Sequence, residues 1–232
     1  MTSGIARALP LLLAVPLWGQ DSAAFEPQPA ADYLCHLTQA EVTVAAEPYD
    51  EPQKVEAAFG RVDPNDYGFL PILVVISNDT DRIVDISELR VQLVTSGGRA
   101  LDPVPADKLA YSRSTGRWGT GGPPIRVGPP WSRPRPHPLE RWEIDARAFR
   151  SEFVSPHSFA SGFFYFEAGS GRDRIPGARL YLRGFKQLPS GKELMYYEID
   201  LSPYARQSRQ EQTQGGRFRE ISSSNLLPTA AR

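Results

Sequence analysis

Residues 69–77, FLPILVVIS, form a nearly unbroken apolar run rich in β-branched side chains. A strand with one face in water alternates polar and apolar residues, so a run without alternation predicts a strand covered on both faces. Pro71 stands near its start, where a missing N–H is tolerated. The run stops at Asn78, Asp79, Thr80 and Asp81, whose short polar side chains bond their own backbone. They predict a hairpin-like connection to a second strand at Ile83, Val84 and Ile86.

A strand hidden on both faces needs partners, and alternation elsewhere predicts them. AEVTVAAEP (40–48) puts Val42 and Val44 on one face of a half-buried strand. ELRVQLVT alternates Leu89, Val91 and Leu93; RALDPV then pairs back. ASGFFYFEAG (160–169) is an aromatic strand, ARLYLRGF alternates Ala178, Leu180 and Leu182, and ELMYYEIDL (193–201) is the last strand after a turn at 189–191. The core is expected from Val42, Val44, Leu73, Val75, Val91, Leu93, Leu180 and Leu182. Helix signals are few. Residues 50–61 read as a short helix capped by Asp50, with Pro52 in its first turn and Gly60 at its end. Residues 144–153 read as another, capped by Asp145, with Phe149 and Phe153 on one face. Residues 105–111 read as one helical turn.

The N-terminus carries a different signal. Arg7 followed by the apolar stretch Ala8 to Trp18 resembles a secretory leader: the stretch has the length of such a segment and is too short to span a bilayer. Cleavage after Gly19 or after Ala24 fits, and residues 1–19 are taken as the leader. The expected organisation is a mobile lead-in at 20–37, one β domain at 38–204 and a disordered tail at 205–232. The mature chain is expected to be periplasmic or secreted, without a transmembrane segment.

Charge is unevenly spread. Net charge is −1, yet residues 112–142 carry +5 and residues 205–232 carry +3, leaving −9 on the rest. Nothing in this balance suggests nucleic-acid binding. Residues 112–142 are dense in Pro and Gly and cannot bury much apolar surface by themselves. They hold Trp118, Trp131 and Trp142 among arginines that include Arg126, Arg133 and Arg135. Exposed Trp and Arg anchor interfaces, so these six residues are the candidate partner-binding set, facing an envelope protein or a glycan.

Catalytic and metal motifs are absent from the sequence. His36, His137 and His157 are scattered, and there is no GxSxG, HExxH or phosphate loop. Cys35, the single cysteine, can form no internal disulfide and reads as a small core residue. DPNDYG (63–68) opens like a calcium loop but has Tyr67 and Val74 where oxygen ligands belong, so it reads as a turn. Asp79 and Asp81 need no metal to make a connection, and Asn78-Asp79-Thr80 matches the glycosylation triplet by accident. No cofactor is expected.

LPILVVISNDTDRIVDISELRVQLVTSGGR is similar to the central strand pair of immunoglobulin-like sandwich domains in exported bacterial proteins, and SGFFYFE, ARLYLRGF and ELMYYEIDL resemble their C-terminal meander. The resemblance implies a mostly-β, immunoglobulin-like two-sheet sandwich with short helices on connections, and carries over no functional residue. The chain lacks the Cys…Trp…Cys pattern of antibody domains. The expected function is a non-enzymatic binding or structural module of the cell envelope. The alternatives are a carbohydrate-binding module that uses the loop tryptophans, and a hydrolase with unrecognised carboxylates.

Overall fold

The computed structural model describes residues 25–111, 138–139, 142–169 and 174–207. Its architecture is mostly β, with three antiparallel sheets and no barrel. The long pair at its centre is β3 (Phe69–Asn78) with β9 (Ser158–Glu167), in register from Phe69 opposite Glu167 to Asn78 opposite Ser158. With β1 (His36–Gln39), β2 (Val42–Pro48) and β7 (Pro103–Val104) they make a five-stranded sheet ordered β1-β2-β3-β9-β7. A second sheet, ordered β13-β10-β5-β6, joins β5 (Arg90–Val94), β6 (Ala100–Leu101), β10 (Arg179–Arg183) and β13 (Tyr197–Asp200). A small third sheet, β12-β11-β4-β8, is built from β4 (Val84–Asp85), β8 (Phe153–Val154), β11 (Lys186–Gln187) and β12 (Lys192–Glu193).

Every residue of β3 is buried, as its unbroken apolarity predicts. Alternation divides its side chains between two cores. Leu70, Ile72, Val74 and Ile76 join Val42, Val44, Val91, Leu93, Leu180, Leu182, Tyr197 and Ile199 in the core shared with the second sheet. Leu73 and Val75 point the other way, into a core with Val55, Phe59, Leu109, Ile144, Phe163 and Tyr165. That outer face is covered by the helix α1 (Pro52–Phe59), the 3-10 turn at Ala106–Tyr111 and the short helix α2 (Trp142–Ala146). All eight predicted core residues are buried, in two separate clusters. The same double cover corrects the expectation for β2, which is buried on both faces except at Glu47 rather than half-buried.

Several local expectations change. The 78–81 connection is not a hairpin: β4 pairs with β8 and β11, so the chain leaves the first sheet at Asn78. The Asn78 amide is the reason. Buried completely, its Nδ2 donates to the carbonyls of Arg82, Val154 and Ser155 at 2.7, 3.0 and 3.1 Å, and its Oδ1 accepts from Thr80 N and Oγ1. Those bonds tie the turn to the segment entering β9 and hide the side chain that glycosylation would need. The N-cap position of α1 is Glu51, not Asp50, and makes no side-chain capping bond. The 144–153 helix is also cut short. It ends at Ala146, and residues 147–149 bond to β9 instead, with Phe163 N donating to Arg147 O at 2.8 Å. Phe149 then stacks on Phe164, and Phe153 lies exposed in β8. The last strand is split: β12 ends at Glu193 and β13 begins at Tyr197, leaving Met195 exposed.

Docking of the lead-in begins upstream of residue 38. Phe25 packs against Tyr49 and Phe163, and Ala30, fully buried, donates its N–H to Ser77 Oγ at 2.9 Å. At the other end a helix at 202–207 crosses the expected tail boundary at 205, with Tyr204 buried. Among the described residues, no helix is long and apolar enough to cross a membrane.

Candidate functional site

Trp142 is the one member of the predicted partner-binding set within the described residues; it opens α2 and is 73% exposed. Trp118, Arg126, Trp131, Arg133 and Arg135 lie outside the described residues. Cys35 is buried and free, and burial, with Asp200 adding to it, pushes its thiol up to about 11. His36 Nδ1 lies 2.7 Å from Tyr33 O and His157 Nε2 lies 2.9 Å from Asp81 Oδ1, so the two share no partner. The 63–68 segment is a turn. Asp63 Oδ1 accepts from both Asn65 nitrogens at 2.7 Å, Arg174 Nη2 donates to Asn65 Oδ1 at 3.0 Å, and Gly68 closes it at φ 84°. No group of three His, Cys, Asp or Glu that could hold a metal ion occurs among the described residues.

A different place gathers chemistry that nothing else in the fold uses: the outer face of the β13-β10-β5-β6 sheet. Its composition follows from alternation. Val91 and Leu93 of β5 point into the core, so Arg90 and Gln92 point out. Leu180 and Leu182 of β10 point in, so Arg179, Tyr181 and Arg183 point out. The β10–β5 register sets Arg183 directly opposite Arg90 and Tyr181 opposite Gln92. On the other side of β10, Glu198 stands opposite Tyr181.

Most charges on this face are satisfied. Arg179 Nη1 donates to Glu198 Oε1 at 2.7 Å, and the Tyr181 hydroxyl and Glu198 together hold its guanidinium above the usual range. Beside the face, Lys186 of β11 donates to Glu88 at 2.7 Å, which raises its ammonium, with a smaller contribution from Glu193. Asp200 is held low by the Ser202 hydroxyl and N–H. Gln92 donates to Asp102 at 2.9 Å. The guanidinium groups of Arg90 and Arg183 make no hydrogen bond or ion pair among the described residues.

Like charges directly opposite each other disfavour a sheet. Even at 4 Å two unit charges in water repel by only about 1 kcal/mol, so the fold can carry the pair, and an anion between them would reverse the sign. Two adjoining open recesses share both arginines. One, of about 330 Å³, also contains Lys186, Glu88 and Glu193. The other, of about 440 Å³, is lined by Arg90, Gln92, Val94, Tyr181, Leu182, Arg183 and Tyr196 and has no carboxylate in its wall. Tyr196, just before β13, is 55% exposed, and its carbonyl accepts from Gln39 Nε2 at 3.2 Å. Sequence reading finds each arginine as the polar partner in an alternating strand. It misses the pair, because the opposition exists only once β5 and β10 are known to be neighbours.

No family model matches this chain, and no curated protein or solved structure matches it.

Proposed function

We propose that the chain is an exported, non-enzymatic binding module of the cell envelope with an immunoglobulin-like two-sheet sandwich, and that it holds an anionic partner on the outer face of the β13-β10-β5-β6 sheet. The observation that carries this reading is the opposed Arg90–Arg183 pair, whose guanidinium groups form no ion pair among the described residues, whereas Arg179 pairs with Glu198 and the neighbouring Lys186 with Glu88. The shared apolar core of the two larger sheets supports the sandwich. Export rests on the leader-like N-terminus, and cleavage after Gly19 or Ala24 would retain Phe25, whose ring packs on Tyr49 and Phe163.

Retention on phosphocellulose at low salt tests the face. Arg90→Gln/Arg183→Gln is compared with Arg113→Gln/Arg117→Gln, which removes the same charge from the 112–142 segment. The face variant should elute at markedly lower salt than the loop variant, because exposed charges act over only about 8–10 Å at physiological ionic strength. Equal shifts would overturn the reading.

Trp142 favours a second reading, a carbohydrate-binding module that uses the tryptophans of residues 112–142, since its ring is largely exposed. Under it, Trp142→Ala abolishes glycan capture and the double arginine variant does not.

A further inference from the structure

We infer that the carboxylate-free recess is a site for a sugar phosphate, with the phosphate monoester between Arg90 and Arg183 and the sugar ring against Tyr181 and Tyr196. This inference rests on the anionic-partner reading above and narrows it to one chemical class.

Charge matching selects the anion. The wall of the recess carries two guanidinium groups and no acid. A phosphate monoester holds between 1.5 and 2 negative charges at neutral pH, roughly enough for both arginines. A carboxylate holds one and leaves the second arginine uncompensated. The guanidinium fork also donates in parallel pairs to phosphate oxygens, and two forks facing each other across adjacent strands can share one tetrahedral group.

Confinement argues against a long polyanion. Arg179 is tied to Glu198 and Lys186 to Glu88, so among the described residues that line the two recesses the basic side chains without an ion pair are Arg90 and Arg183, one cross-strand pair. A nucleic acid or phosphodiester polymer, with a single charge on each bridging phosphate, would meet Glu198, Asp200, Glu88 and Glu193 on either side. One dianionic end group meets none of them within the recess.

The tyrosines select the carrier. A tyrosine has a flat apolar body and a polar tip, and the apolar face of a pyranose can lie on it while its hydroxyls reach water. Tyr196 is the more exposed of the two and is free to serve in this way. A volume of about 440 Å³ lies within the range of small-molecule sites.

The test is NMR titration of the full chain with glucose 6-phosphate, inorganic phosphate, glucuronate and poly(glycerol phosphate). Glucose 6-phosphate should bind tightest and move amide signals of 90–92 and 181–183. Inorganic phosphate should bind more weakly at the same residues, and glucuronate and the polymer more weakly still. Arg90→Gln and Arg183→Gln, both at exposed positions, should each weaken glucose 6-phosphate by about tenfold or more, the size of a lost charge-assisted hydrogen bond. Tyr196→Ala should remove the preference over inorganic phosphate and leave phosphate binding unchanged. Glucuronate or the polymer binding as tightly as glucose 6-phosphate would overturn the inference, as would unchanged affinity in the arginine variants or equal affinity for the two phosphates in the wild type. If that happens while the phosphocellulose shift persists, the sugar-phosphate assignment fails and the anionic-partner reading stands.

Discussion

Gly162 of β9 and Phe149 are in such close approach that a Cβ on Gly162 would lie 2.4 Å from the Phe149 Cα. Phe149 N donates to Phe163 O at 3.1 Å, so residues 147–149 run hydrogen-bonded along the edge of β9 that β7 occupies farther on. The one glycine of β9, just before Phe163, is what lets that backbone in. Gly162→Ala should therefore destabilise the fold by about 1–3 kcal/mol or more, as overpacking does. Gly97→Ala, with nothing nearer than 3.9 Å, should stay within about 0.5 kcal/mol. Urea denaturation of both variants checks this, and equal losses would show that the close approach is not what Gly162 serves.

Asn78 replaces a hairpin with a knot of hydrogen bonds, and removing it should be costly. Asn78→Ala leaves the Val154 carbonyl without its buried donor and frees Thr80 from its acceptor. A loss of about 2–4 kcal/mol is expected from unsatisfied buried groups. Asn78→Asp keeps the acceptors but loses the donors to three carbonyls, so it should be no better tolerated at neutral pH. Denaturation midpoints for the two variants decide; wild-type stability in either would mean that water replaces the amide without loss.

The two cores make separate predictions. Leu93 belongs to the core between the larger sheets and Leu73 to the one beneath α1 and α2. Both are almost completely buried, and truncation of either to Ala should cost roughly 2–5 kcal/mol. Because they lie in different clusters, the double variant should lose close to the sum of the single losses. A clear departure from additivity would show the clusters to be one.

Hydrophobic pattern carries much of the fold: the strand at Phe69–Asn78 is legible from its unbroken apolarity, and the strands at Arg90–Val94 and Arg179–Arg183 from periods of two, with all eight core positions. The limits have physical causes. Ala45 and Ala46 look the same to a reader of hydrophobic pattern, yet they belong to opposite cores. Phe149 and Phe153 are four apart, which suits a helix face, but the open edge of β9 offers residues 147–149 backbone partners that a short exposed helix cannot match. Asn78 and Thr80 carry strong turn propensity, but the Asn78 partners Val154 and Ser155 lie more than seventy residues away. The Arg90–Arg183 pair was invisible for the same reason, since cross-strand opposition is a property of tertiary pairing.

Alkaline pH should unfold this protein earlier than its modest charge suggests. Burial, above all, raises the hydroxyls of Tyr49, Tyr165, Tyr197 and Tyr204, and lifts the Cys35 thiol from 9.0 to about 11. The folded state then holds these protons more tightly than the unfolded chain does, so stability falls wherever the unfolded chain has ionised and the folded one has not. The Cys35 contribution is present below about pH 9 and is lost as pH rises towards 11; that of the tyrosines is present below about pH 10 and is lost above it. Melting temperature should be level near neutral pH and drop progressively above pH 9. Cys35→Ala should flatten the onset of the drop around pH 9, where the tyrosines of the unfolded chain are still about nine-tenths protonated. In the native wild type, alkylation of Cys35 by iodoacetamide at neutral pH should be slow and should accelerate on adding urea, because the thiol is both buried and protonated. A thiol that alkylates at the unfolded rate in the native protein would contradict its burial, and a melting temperature independent of pH up to 11 would contradict the raised tyrosines.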